Sequence, residues 1–387
     1  METIATPETC APKLVCLLLS YNHADTLPEA IESVLMQKCD FAYKLVIMDD
    51  CSTDGSYEVA MEYQAKHPDK IQVVRNEVNL GLVPNTAKAY RYLKGVDYFC
   101  VIDCDDKYTY DKKFAEAVAY LEAHPDYTIY MTNVLIKSPD EENLCYKGNC
   151  KSLDLTYAER KQGKYVYIHT TGQTYRNIYF KDGDTSQFDR VLKMRYPDAY
   201  RSELHRFEWY LKKGKAHLDN HVQSIWNVHG SGIASSCTRQ EKLIFQIQLF
   251  HSYGDEFFPE EREFYFSQAR HIYQCLMNEN ADGKMPEGYM EKNRDALISM
   301  FNALFSKKAL QNAALTNSNK SAAARLKLIQ DFTDVIKYKK HYISYYKYKL
   351  FRILTIGKIQ KFKEKEAYHH QKVRNARRTR REYLVKH

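Results

Sequence analysis

Three carboxylates within four residues, Asp103, Asp105 and Asp106, follow the apolar start of Tyr98–Thr109, YFCVIDCDDKYT. The run Phe99-Cys100-Val101-Ile102 is continuously apolar, as a central parallel strand covered on both faces is. Carboxylates directly behind such a strand lie at its C-terminal end, where open α/β sheets bind ligands. Acidic groups this close repel one another, and burial raises their pKa values. A divalent cation relieves that repulsion, and hard oxygen donors suit Mg²⁺ or Mn²⁺. An acidic loop capping the next helix would use the same residues. The stretch alone therefore leaves two readings open, a metal bridge to a diphosphate and a structural loop. A second acidic pair, Asp49-Asp50, closes another apolar run, Tyr43–Met48.

These residues need a scaffold, and the pattern around them supplies one. Lys13–Ser20, Tyr43–Met48, Ile71–Arg75, Phe99–Ile102 and Tyr127–Val134 read as strands. Helical spacing falls between them, at Pro28–Gln37, about Tyr57–His67, about Pro84–Leu93 and Lys112–His124. Strands alternating with helices at this interval make βαβ units, a mainly parallel sheet and right-handed crossovers. Turns follow at Tyr21-Asn22-His23 and at Cys51–Ser56, where Asp54 is placed to cap a helix. The loops after Ser20, at Asp49-Asp50 and at Asp103–Asp106 all fall on the C-terminal edge and can converge on one ligand. Neither a GxGxxG nor a GxxxxGK[ST] pattern is present, which argues against a classical dinucleotide site or a P-loop.

With 387 residues and 44% hydrophobic content, the chain can bury a sizeable core in one or two domains. No signal-peptide pattern and no run of about 20 apolar residues is found, so a cytoplasmic protein is expected. The ten cysteines form no CxxC pair, which makes zinc or a disulfide framework improbable; Cys145 and Cys150 are expected to stay reduced. The net charge of +8 is uneven. Residues 337–387 carry seventeen Lys/Arg against three Glu, while 1–336 is net −6. The basic character belongs to a tail with its own partner, and the body does not read as nucleic-acid binding.

Leu14–Gln37, LVCLLLSYNHADTLPEAIESVLMQ, followed by LVIMDDCSTDGS, RNEVNLG and IDCDD, resembles the nucleotide-binding half of family 2 glycosyltransferases of the GT-A fold. Four motifs in order with ordinary spacing make this specific over about residues 12–135. The resemblance implies a nucleotide diphosphate sugar donor, a divalent metal (Mn²⁺ or Mg²⁺) and usually inversion at the anomeric carbon. Leu19, Ser20 and Tyr21 match the loop that packs on the nucleoside, with Leu19 where a proline is common. Asp50 matches the carboxylate accepting from the base N–H, with Asp49 beside it and Cys51 replacing a common Gly. Such a carboxylate can accept the N3–H of uracil or thymine. Arg75 and Asn79 match positions near base and ribose. Asp103, Cys104 and Asp105 match the DxD-type triplet, with Asp105 as metal ligand and Asp103 towards ribose or metal.

The resemblance weakens in the second half. Lys164–Phe180 resembles the segment lining the acceptor pocket, with Thr171, Gly172 and Gln173 near the reaction centre. Counting back from Lys213-Gly214-Lys215, Glu203 falls at the catalytic carboxylate, with Asp198 as runner-up and Glu208 as a less fitting, solvated one. Trp226-Asn227-Val228-His229 stands where Tyr-Arg-x-His is usual; the Arg is absent, and His229 becomes a candidate ligand. The expected organisation is a catalytic domain at 1–238 (nucleotide-sugar half 12–135, acceptor half 136–238), a helical extension at 239–335 and a basic amphipathic tail at 336–387. The extension shows helical spacing at Gln240–Phe250, Arg262–Met277, Gly288–Phe305 and Ser321–Ile336. Residues 342–381 mix aromatics with Lys/Arg, which suits an anionic membrane surface on the inner face of the cell membrane. Packing on a second copy in a homo-oligomer is the alternative. The implied acceptor is a glycan or lipid-linked hydroxyl. Rival readings are a nucleotidyltransferase, which would carry a Gly-rich basic loop after the first strand, and a non-catalytic membrane-associated scaffold keeping the fold.

Overall fold

The computed structural model describes residues 11–166, 168–196, 199, 202–229, 237–281, 300 and 303–304. The chain forms two compact units, Met1–Ala296 and Leu297–His387, and the described residues fall almost wholly in the first.

The first unit is built on one sheet. Strands β1 (Leu14–Ser20), β2 (Tyr43–Asp49), β3 (Ile71–Arg75) and β4 (Tyr98–Asp103) lie parallel in the order β3-β2-β1-β4. All seven residues of β1 are buried, because it has a strand on each side and packing on both faces. Its alternation feeds two cores. Leu14, Cys16 and Leu18 meet Leu27, Ile31 and Val34 of helix α1 (Leu27–Leu35) and Phe114, Val118 and Leu121 of a later helix (Lys113–Ala123). Val15, Leu17 and Leu19 join a second core with Tyr90, Phe180, Trp209 and Tyr210. The period of two in the sequence thus becomes two layers of packing.

Beyond β4 the sheet is mixed. The short strands β5 (Lys107–Tyr108), β7 (Glu142–Leu144), β8 (Ser152–Leu155) and β9 (Gln173–Arg176) join the long β6 (Tyr127–Lys137) and β10 (Lys215–Asn227). β9 inserts antiparallel between β4 and β6, and β10 lies parallel to β6. The mainly parallel sheet expected from the sequence describes the first four strands, and the second half mixes directions. Among the described residues of Lys164–Phe180, Gln173–Arg176 alone form a strand.

Helices α2 (Ser56–Lys66), α3 (Leu82–Ala89) and α4 (Lys113–Ala123) follow the strands as the spacing requires. Short α5 (Tyr157–Lys161) and α6 (Ser186–Asp189) precede α7 (Ser202–Leu211). α8 (Arg239–Ser252) starts with a capping box in which Thr238 and Glu241 satisfy each other's amides, and α9 (Arg262–Ala281) is the last helix described in full. Leu249, Tyr253 and Tyr265 share the core that holds Val15 and Tyr210. Helices α8 and α9 therefore continue the compact body. The expected helix at 288–305 is described only at 300 and 303–304, which are helical, and the expected helix at 321–336 and the tail at 342–381 lie outside the described residues. Among the described residues no helix is long and apolar enough to cross a membrane, and no cysteine is disulfide-bonded.

Candidate active site

The acidic loop is clipped between β4 and β10. Asp103 ends β4, the Asp106 amide turns back to the Asp103 carbonyl at 3.1 Å, and β5 pairs antiparallel with Ser224 and Ile225 of β10. Asn227, the last residue of β10, holds the loop twice: its amide donates to Asp106 Oδ1 at 3.0 Å and its side chain donates to the Asp105 carbonyl at 2.6 Å. These contacts anchor the loop to both β4 and β10.

Its three carboxylates separate by environment. Asp106 is buried and accepts from Thr171 Oγ1 at 2.6 Å. Burial and the charges of Asp103 and Asp105 push its carboxyl well above the usual range. Asp103 is lifted to about 7 by burial, by Asp105 and by Glu203, against the opposing pull of Arg206. Asp105 points away from both and meets His229, with Oδ2 at 2.7 Å from Nε2. Two donor groups result: His23, Asp105 and His229, and Asp103, Asp106 and His169, each with ligand atoms within 4.8 Å of one another. A carboxylate between two imidazoles is chemistry that fits a divalent transition-metal ion. Of the expected ligands, the structure brings Asp105 and His229 together. Asp103 faces the other way, its Oδ2 3.7 Å from His169 Nε2.

The edge formed by β1 and β2 has a different character. Asp50 is buried and already committed: Oδ1 accepts from Asn76 Nδ2 at 2.8 Å and the Leu80 amide at 2.9 Å, and Oδ2 accepts from the Gly81 amide at 2.8 Å. The carboxylate expected to meet the base therefore fastens the 79–81 loop. Asp49 accepts from the Ser52 amide through Oδ2, which lies 3.5 Å from Arg75 Nε, while its buried Oδ1 has no partner among the described residues. Ser20 Oγ is also buried without one, and Ser20 is the direct neighbour of Asp49 across the two strands. Two unpartnered buried oxygens side by side are costly unless a ligand satisfies them. Tyr21 stands 43% exposed beyond them.

Other expected contacts turn inward. Leu19 is a core residue of β1 rather than a loop residue, and Cys104 packs in the apolar core with Leu27 and Phe114. Arg75 donates to the Ser52 carbonyl and lies over Tyr57, and Asn79 accepts from the Gly81 amide; both are exposed. Asp54 brackets α2, accepting from Ser56 and from the Ala24 amide, while the N-cap itself is Gly55 at φ 97°. Cys51 has φ 63°, the left-handed region that a glycine enters without strain.

Of the expected acceptor residues, Thr171 is buried and spent on Asp106, and Gln173 takes bonds from Tyr175 and to the Ile168 carbonyl. Gly172 sits against β6, where a Cβ would lie 2.6 Å from the Thr132 carbonyl oxygen. Thr171 holds the acidic loop, and all three residues are buried. Glu203, in the first turn of α7, is partly exposed and close enough to Asp103 for their charges to interact. Asp198 lies outside the described residues. Glu208 is not solvated: it is buried, paired with Arg160 Nη2 at 2.7 Å, and accepts from Tyr265 at 3.2 Å. Gly214, in the turn between α7 and β10, packs where a Cβ would lie 2.8 Å from the Asp126 carbonyl oxygen.

Three site residues escaped the sequence reading. His23 was only part of a turn. His169 stacks on Trp226 with ring centroids 4.3 Å apart, and burial and Arg206 hold it neutral, lowered to about 3. Arg206, fully buried, donates to Tyr90 at 2.8 Å and to Thr170, and its charge acts on Asp103. The position of His169 two residues before Thr171 was the only available signal.

Residues 16–190 match the family model described as Glycosyl transferase family 2. EpsE of Bacillus subtilis is 33% identical over 125 residues, covering 32% of this chain and 44% of EpsE. TuaG of the same organism, named for teichuronic acid biosynthesis, is 35% identical over 101 residues, covering 26% of this chain and 39% of TuaG. The chain thus spans less than half the length of these relatives. Residues 1–349 of S. aureus TarS, solved with UDP-GlcNAc, share the fold with a TM-score of 0.52 at 14% identity, over 76% of this chain and 80% of that one. Together with the converging strand-end loops, these matches identify residues 16–190 as a glycosyl transferase family 2 domain, and the fold is GT-A-like.

Proposed function

We propose that the chain transfers a sugar from a nucleoside diphosphate donor to a hydroxyl of a glycan or lipid-linked acceptor, with inversion. The observation that carries this is the pairing of two half-sites on one sheet edge: unpartnered Ser20 Oγ and Asp49 Oδ1 at the ends of β1 and β2, and the Asp105–His229 pair beyond β4. The first suits a nucleobase N–H, which favours uracil or thymine, since a carboxylate only accepts. The complex of TarS with UDP-GlcNAc supports a uridine donor by analogy of fold. Asp105 and His229 would hold the divalent cation, Mn²⁺ or Mg²⁺. When bound, the ion supplies charge stabilisation to the departing nucleoside diphosphate.

The chain's own residues do the rest. Glu203 accepts the proton of the acceptor hydroxyl as that oxygen attacks C1 from the face opposite the leaving group. Asp106, Thr171 and Asn227 keep the acidic loop in place, so donor and acceptor meet in line without reorganisation. The name of TuaG supports a surface-polymer acceptor, and the charge of residues 342–381 supports contact with an anionic membrane surface. The test is a panel of nucleoside diphosphate sugars assayed for Mn²⁺-dependent turnover. Asp105→Ala is expected to abolish turnover and cation-dependent donor binding, and Glu203→Gln to abolish turnover with donor binding kept. Wild-type donor binding indifferent to added cation refutes the bridge.

A further inference from the structure

We propose that His23 is a direct metal ligand, so that the cation site is a two-histidine, one-carboxylate set of His23, Asp105 and His229. This rests on the reading of Asp105 and His229 as a cation site and extends it to a third strand end. The ligand atoms of the three residues lie within 4.8 Å of one another, and the His23 and His229 rings stand edge to face with centroids 5.8 Å apart.

The backbone around His23 is held at every step. Asn22 adopts φ 55°, and its amide donates to Ser52 Oγ at 3.0 Å. The His23 amide donates to Ser56 Oγ at 2.8 Å, and the Ala24 amide to Asp54 Oδ2 at 2.9 Å. The His23 carbonyl accepts from Thr26 and Leu27 at 3.2 and 2.9 Å. A left-handed residue and three cross-loop bonds thus fix the backbone from which one imidazole projects. That imidazole makes no hydrogen bond of its own among the described residues. A positioned ring with free donor capacity, aimed at a carboxylate–histidine pair, is what a ligand looks like before the ion arrives.

The donor set also fixes the preference. Mg²⁺ seeks oxygen ligands and loses water reluctantly, whereas imidazole nitrogens suit first-row transition metals, among which Mn²⁺ binds least tightly. With Asp103 turned towards His169, this set has one carboxylate and two nitrogens. The site should therefore hold Mn²⁺ against an equal concentration of Mg²⁺.

The test is Mn²⁺ titration of the full chain followed by electron paramagnetic resonance, with electron spin echo modulation to count imidazole nitrogens. Wild type should show two imidazoles. His23→Ala should show one and bind Mn²⁺ at least about tenfold more weakly, since even supporting residues of metal sites cost that much. Its melting temperature should be unchanged, because the held groups are backbone. If His23→Ala keeps wild-type affinity and nitrogen count while Asp105→Asn loses both, the His23 assignment is overturned and the Asp105 site stands. If wild type binds no Mn²⁺ with or without UDP, both readings fall. Displacement by equimolar Mg²⁺ overturns the preference.

Discussion

Replacing Lys113 by Met should stabilise the protein at neutral pH. Lys113 opens α4 directly behind the acidic loop, and its side chain is fully buried. Its ammonium donates to Thr132 Oγ1 at 2.9 Å and lies 5.4 Å from the centre of the Tyr108 ring. The groups around it are Cys16 on β1, Cys100 on β4, Tyr108 on β5 and Glu116 one turn along its own helix. Burial outweighs them and lowers its pKa from 10.5 to about 8. A base with a depressed native pKa penalises the folded state while it is charged, and the penalty fades as pH rises from about 8 towards the unfolded value. For these values it is about 3 kcal/mol at pH 7 and about 2 kcal/mol at pH 9. Methionine fills similar space without charge but forfeits the Thr132 bond and the ring contact, together about 1 kcal/mol. Lys113→Met should therefore gain about 2 kcal/mol at pH 7 and about 1 kcal/mol at pH 9. Urea unfolding under reducing conditions, read by the fluorescence of Trp209 and Trp226, measures this at each pH. Other ionisable groups are common to both proteins and drop out of the difference to first order. A destabilised variant at pH 7, or a gain that grows with pH, refutes the reasoning.

The buried oxygens predict a division between neighbours: Asp49→Asn should weaken UDP binding at least about tenfold in calorimetry. Asp50→Asn should lower stability by about 1–3 kcal/mol in urea unfolding, since one of the Asn76, Leu80 and Gly81 donors loses its acceptor. Glu208→Gln leaves Arg160 charged and buried, and should cost about 3 kcal/mol by the same assay. Cys51→Gly relieves a left-handed non-glycine residue and should raise stability by about 1 kcal/mol.

The first four strands and their helices were legible because burial on two faces writes itself as continuous apolar runs, and each helix covers a strand next to it in sequence. Ile71–Arg75 is a strand over the same residues that the pattern gives. The second half was harder for the opposite reason. β9 is four residues long and lies between β4 and β6, to which nothing local ties it. Glu208 read as a surface residue because its partners, Arg160 and Tyr265, are 48 and 57 residues away. A buried charge announces itself only through its counter-charge, and that pairing is non-local.

The same distinction separates the site residues. Types at a strand end are local information, so the acidic loop and the Asp49-Asp50 pair could be placed on the correct edge. What each carboxylate does is set by what faces it, and those groups come from elsewhere: Thr171 for Asp106, Asn227 for the loop backbone, His229 for Asp105. Asn227 makes the point most sharply. It stands at the position where the family pattern has an arginine, and its short amide cannot reach out to a phosphate as a guanidinium can. It instead donates back to Asp105 and Asp106 and fixes the loop that carries the ligand. The buried cation acting on Asp103 is Arg206, from α7. Charge and loop anchoring are therefore carried here by two residues on different elements, and substitution at either should disturb a different quantity: the electrostatics of Asp103 for Arg206, the order of the acidic loop for Asn227.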